Sequence, residues 1–87
     1  MARKSALEVE VERLNEKYCK HTKNKLVIDK AYGGVQVCLR SKNRKGGQAE
    51  ITTGHLSPMK TLQKLYEKDS KGWLQFDIER YENDSRM

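Results

Sequence analysis

Between Leu26 and Thr53 apolar residues return at every second position in three short runs, and this period of two constrains the chain more than any other feature. Leu26 to Tyr32 reads as a strand. Val35-Gln36-Val37-Cys38-Leu39-Arg40 alternates apolar and polar, as a half-buried strand does, and Gln48-Ala49-Glu50-Ile51-Thr52-Thr53 alternates again. Gly33-Gly34 allows a tight turn between the first two runs, because glycine tolerates positive φ. Ser41 to Gly47, with three basic residues and two glycines, is the loop before the third. The implied registers agree with each other. A two-residue Gly-Gly turn sets Tyr32 opposite Val35 and Ile28 opposite Leu39, and a five-residue loop at 42–46 sets Leu39 opposite Ala49 and Val37 opposite Ile51. All these inward residues then share one face, as pairing requires. Lys30 breaks the pattern, either by snorkelling or through a bulge at the glycines. The opposite face is expected to show Asp29, Gln36, Cys38, Arg40, Glu50 and Thr52.

Helical signals flank these runs. Ser5-Ala6-Leu7-Glu8 reads as a capping box, and Leu7, Val11, Leu14 and Tyr18 follow at helical spacing, so the first helix is placed at about residues 6–20. Ser57-Pro58 opens a second helix, with serine as N-cap and proline at the first helical position. Its apolar stripe is read as Met59, Leu62, Leu65 and Tyr66, and Lys71-Gly72 ends it. Residues 73–81 fit two periods. Leu74, Phe76 and Ile78 alternate with polar residues, which suits a short strand; Leu74, Ile78 and Tyr81 also suit a helix. The strand is the preferred reading. The expected fold is α+β: a three-stranded antiparallel sheet with two helices on one face, in the order α-β-β-β-α, with a possible short C-terminal strand or helix.

Eighty-seven residues make one domain, taken as 1–87 with residues 1–4 and 82–87 frayed. A chain this short has one thin core, from which a deep catalytic pocket is hard to carve. Charged residues reach 34%, yet hydrophobic residues still make 36% and fall in periodic runs, so a folded domain is expected. No segment is long and apolar enough to span a membrane. Met1-Ala2-Arg3-Lys4 has no apolar stretch behind it and is not read as a signal peptide, which makes the cytoplasm the expected location. Two cysteines do not make a disulfide framework, and both are expected as buried or half-buried thiols.

The charge is unevenly spread. Residues 17–45 hold nine basic side chains against Asp29 alone, a net of +8, while the rest of the chain has nine basic and eleven acidic residues, a net of −2. Within that stretch Lys20, Lys23 and Lys25 leave the first helix, and Arg40, Lys42, Arg44 and Lys45 form the second hairpin's tip and its approach. Such a surface suits contact with nucleic-acid phosphates or with an acidic protein surface. The open sheet face lacks aromatics, so duplex backbone contact fits better than single-strand stacking.

Other chemistries have little support. Cys19, His21, Cys38 and His55 could number a tetrahedral zinc set, but no paired-ligand spacing of the zinc-finger kind is present. His55 lies two residues from Ser57, yet no carboxylate is placed by a motif to orient it, and Ser57 is better explained as an N-cap. Cys38 on the open sheet face with His55 could in principle form a nucleophile pair, but nothing fixes their distance. No phosphate loop or dinucleotide fingerprint occurs. The chain is therefore expected to be a non-enzyme with no cofactor and no metal.

Two resemblances bear on this. The order helix–strand–strand–strand–helix over about residues 5–71 is similar to the double-stranded-RNA-binding domain. It lacks that family's Gly-Pro-x-His-like loop and the lysine cluster opening the last helix, of which Lys60 and Lys64 are an echo, so no residue role is carried over. Ala31-Tyr32-Gly33-Gly34-Val35-Gln36-Val37, then Gly46-Gly47 and a short strand, then Leu56-Ser57-Pro58 opening a helix, resembles small proteins encoded by tailed phages and prophages, over about residues 14–66. Such neighbourhoods hold DNA-associated accessory proteins and inhibitors of host defence such as anti-CRISPRs. The resemblance implies a setting rather than an activity. The resulting expectation is a small binding protein that contacts nucleic-acid backbone through a basic hairpin, with a phage-type protein–protein inhibitor as the alternative.

Overall fold

In the computed structural model, which describes residues 4–42 and 48–83, the chain enters helix α1 (Ala6–Tyr18) through its capping box. Ser5 Oγ accepts from the Glu8 N–H at 3.2 Å, and Glu8 Oε1 accepts from the Ser5 N–H at 3.1 Å. These bonds favour the carboxylate and hold Glu8 below the usual range. Leu7, Val11 and Leu14 are buried and Tyr18 packs at the core margin. The helix ends with Cys19 as C-cap, a little before the expected residue 20.

Three strands follow: β1 (Asn24–Ala31), β2 (Gly34–Ser41) and β3 (Gln48–Glu50), antiparallel in the order β1-β2-β3. The first hairpin differs from the Gly-Gly expectation. The turn residues are Tyr32 and Gly33, with φ of 53° and 74°, the positive pair of a type I′ turn. Ala31 therefore faces Gly34, and the pairs become Ile28 with Val37 and Leu26 with Leu39. The cause lies across the sheet. A Cβ on Gly34 would stand 2.4 Å from the His55 carbonyl oxygen, so glycine is required inside the strand and Tyr32 takes the left-handed position instead. A shift of two preserves every face, and the exposed Lys30 stands across from the buried Val35.

The second register is as expected, with Leu39 facing Ala49. Regular pairing stops at Glu50, not Thr53. The Ile51 and Thr52 N–H groups both donate to Val37 O, at 2.9 and 3.1 Å, the two-against-one arrangement of a β-bulge. The Thr52 hydroxyl turns inward and accepts from the Val37 N–H at 3.0 Å. A bridge between Val35 and Leu56 then resumes contact with β2.

Helix α2 (Pro58–Ser70) starts as expected: Ser57 Oγ accepts from the Lys60 N–H and proline occupies the first turn. Its buried face is Thr61, Leu62 and Leu65, whereas Met59 and Tyr66 are exposed. The rotation follows from Thr61, whose hydroxyl donates to Val35 O at 2.9 Å and so carries a polar side chain into the core. Residues 73–81 correct the strand reading. They lie in helix α3 (Trp73–Glu82), joined to α2 by Gly72 at φ 78°. Leu74 and Ile78 are buried one turn apart and Tyr81 packs beside them, while Phe76 is 65% exposed. Helical burial of three side chains prevails over an alternation that would have placed Phe76 with Leu74 and Ile78.

The architecture is α+β, with one core cluster drawn from β1, β2, Ile51 and all three helices. Two polar ties close it. Glu82, expected in a frayed tail, ends α3 and accepts from the Lys23 N–H at 2.7 Å and from Asn24 Nδ2 at 2.9 Å. On the outer edge of β1, Asn15 accepts from the Leu26 N–H at 2.7 Å and donates to Leu26 O at 3.0 Å. No helix among the described residues is long and apolar enough to cross a membrane.

Candidate nucleic-acid interface

The β1–β2 register decides where the sequence-predicted cations go. Lys25 stands directly across from Arg40. One step outside the ladder, the Lys42 N–H donates to Lys23 O at 2.9 Å, which joins the exit of α1 to the end of β2. Lys20, Lys25 and Lys42 line one depression of about 270 Å³ with Asn15, Glu16 and Cys19. Five predicted residues, Lys20, Lys23, Lys25, Arg40 and Lys42, thus gather at one corner of the sheet. Arg44 and Lys45 lie outside the described residues.

These cations are not equivalent. Lys42 Nζ donates to Cys19 O at 2.6 Å and to Lys20 O at 3.5 Å, so its ammonium caps the carbonyl end of α1 and complements the helix dipole. Lys20 pairs with Glu16 at 3.2 Å, one turn back. The Arg40 guanidinium donates twice to Gln48 Oε1, at 3.2 and 2.7 Å. Lys23 and Lys25 have no side-chain partner among the described residues. Lys25 and Arg40, like charges directly opposite on neighbouring strands, repel each other. An anion between them would relieve that repulsion.

The far end of the same sheet face is closed. Gln36, Cys38 and Thr52, expected on an open face, are buried. Gln36 and Cys38 sit on the central strand, and Gln36 Nε2 approaches the Cys38 sulfur at 3.3 Å. Burial pushes the Cys38 thiol up, opposed only in part by the Gln36 hydrogen bond. A raised, buried thiol is the reverse of an activated nucleophile. His55 does have a carboxylate partner, Asp29 Oδ2 at 3.0 Å, which no motif pairs with it, and Tyr32 meets its ring edge-on. Among the described residues no group of three or more His, Cys, Asp or Glu side chains is placed to hold a metal ion.

Sequence reasoning missed one site. A cleft of about 320 Å³ lies between Glu50–Thr53 and the α2–α3 hairpin, with Lys64, Trp73 and Tyr81 on the helical wall. The single tryptophan after Gly72 was a usable signal, but reading residues 73–81 as a strand detached it from α2. No protein-family model, no curated protein and no solved structure matches this chain.

Proposed function

We propose that this is a small non-enzymatic binding protein that holds a nucleic-acid backbone at the basic corner. Lys20, Lys23, Lys25, Arg40 and Lys42 supply the cations there, and Arg44 and Lys45 belong to the same basic stretch of the sequence. The observation that carries the reading is the convergence of Lys20, Lys25 and Lys42 on one depression, beside the repelling Lys25–Arg40 pair. About four to six phosphate contacts give a log–log salt slope of about −4 to −5, and binding through the backbone alone has a dissociation constant of about micromolar or weaker. Fluorescence anisotropy with duplex DNA and duplex RNA over a salt series tests this. Changing Lys20 and Lys25 together to Ala should flatten the slope by about two units and leave the fold intact. Lys42 is a poor choice for that variant, because its ammonium also caps α1. Absence of binding at about 50 mM salt, or a slope unchanged in the double variant, rejects the reading.

A second reading is docking on an acidic protein surface, as a phage-type inhibitor of a host defence system would dock. It is favoured by the large apolar side chains left exposed: Tyr32 at 94%, with Met59, Tyr66, Trp73 and Phe76 on the helical hairpin. Partners captured from host lysate that persist after nuclease treatment support it, and loss of every partner after nuclease counts against it.

A further inference from the structure

We propose that the outer edge of β3 accepts a short extended peptide from another protein as a fourth strand, laid in the cleft between β3 and the α2–α3 hairpin. The inference concerns a different surface from the basic corner and stands apart from it.

The sheet has two edges, and the outer edge of β1 is interrupted by a side chain at Leu26. Backbone groups of successive strand residues point to alternate sides. On β2 the groups of Val35 and Val37 reach toward the β3 side, where they bond Leu56 and the bulge. Leu39, two further on, therefore bonds Ala49, and the N–H and C=O of Gln48 and Glu50 point away from the sheet. By the same alternation Leu26 points away from the sheet on β1, and there the Asn15 carboxamide occupies both of its groups. Among the described residues no side chain does this for Gln48 or Glu50. An uncapped edge is a template for another strand, and main-chain pairing of that kind is a recurrent mode of peptide capture.

The cleft determines what the guest looks like. Glu50, Ile51 and Thr53 form one wall; Lys64, Trp73 and Tyr81 stand on the other. The Glu50 side chain shares a sheet face with Cys38, its cross-strand partner, so a guest residue directly across from Glu50 projects to that face. The next guest residue projects the other way, toward Lys64 and the half-exposed Trp73 ring. Lys68 and Glu67 are already paired, with Asp77 at 2.7 Å and Lys71 at 3.2 Å. Glu50 and Lys64 have no ion-pair partner among the described residues. The complementary guest is an extended segment with a basic residue across from Glu50 and an aromatic or acidic residue beside it. A second copy's β3 is a poor guest, since Glu50 would meet the partner's glutamate-bearing strand.

The test uses the full chain and a displayed library of short random peptides. Enriched peptides, made synthetically, should show that alternation and bind with a dissociation constant of about micromolar. Their largest amide-shift changes should fall at Gln48, Glu50 and the Trp73 indole. Glu50→Pro removes the outward N–H without touching the bonds of Ala49 to β2, and should abolish binding. Lys64→Glu, on an exposed helix surface, should weaken acidic peptides by about tenfold or more. Thermal unfolding of both variants checks that they remain folded. The proposal is overturned if no peptide is enriched, if the shifts map to another surface, if both folded variants keep wild-type affinity, or if the edge proves to pair with a second copy instead.

Discussion

Asn15 takes the place of a neighbouring strand at one residue. Its carboxamide fills both outward backbone groups of Leu26, a buried position on the longer exposed edge of the sheet. Replacing Asn15 with Ala removes both hydrogen bonds and leaves the Leu26 amide in a partly buried gap, so the expected loss is about 1–3 kcal/mol. Asn15→Asp keeps the acceptor and loses the donor, and should fall between. Urea unfolding of the three proteins, with the slope of the transition unchanged, measures it. Nothing in the sequence announced this role: an asparagine inside a helix is ordinarily only a modest helix former. The first turn was misplaced for a related reason. Glycine pairs signal a turn by their freedom in φ, but Gly34 is needed for its missing Cβ against the His55 backbone, and that backbone is distant in sequence. Tyr32 consequently sits at φ 53°, a conformation that costs a non-glycine residue about 1–2 kcal/mol. The inward residues of β1 and β2 were nevertheless legible, because an error of two positions keeps every side chain on its own face.

Among elements, the tie between α1 and the end of α2 depends on Asp69. Tyr18 Oη donates to Asp69 Oδ1 at 2.5 Å and Arg13 Nη2 donates to Oδ2 at 3.1 Å, with Lys17 Nζ 3.8 Å away. Arg13 also reaches both carboxylate oxygens of Glu10, at 2.9 and 2.6 Å, and these anionic partners raise its already high pKa. Burial alone would push the Asp69 carboxyl up, but the Tyr18 and Arg13 hydrogen bonds and the nearby Lys17 and Arg13 charges more than reverse this, holding it below its ordinary value of 3.8. A carboxyl depressed in the folded state adds stability that is complete above the unfolded value and disappears as pH falls through the folded one. Asp69→Asn should therefore be less stable than wild type at neutral pH, with the two curves converging below the ordinary aspartate range. Thermal unfolding from neutral to strongly acidic pH reads the difference. Helix α3, which follows that same end of α2, was the least legible element. Leu74, Phe76 and Ile78 satisfy a period of two, while Leu74, Ile78 and Tyr81 satisfy a helical one, and a ten-residue segment is too short for either to dominate. The choice is made by what surrounds it: a left-handed Gly72 that folds the chain back, and an Asp77 carboxylate that meets Lys68 of α2 at 2.7 Å.

Across the whole molecule the concentration of charge was visible in the sequence, and its gathering at one corner was not. Residues 17–45 are strongly basic by composition alone. That Lys20 and Lys42 line the same depression depends on a contact between Lys23 and Lys42, on either side of the first hairpin. The same folding that brings those lysines outward places both thiols inside. Cys19 caps α1 and Cys38 occupies the middle strand, and both are almost wholly enclosed. Burial pushes each thiol up, so neither reacts from the closed state. The protein thus carries two chemical clocks. A thiol reagent reaches Cys19 when the last turn of α1 frays, whereas Cys38 must wait for the sheet itself to come apart. Labelling followed by mass in the two single-cysteine variants should give a fast rate that is insensitive to denaturant for Cys19. For Cys38 it should give a slow rate that climbs with the global unfolding transition.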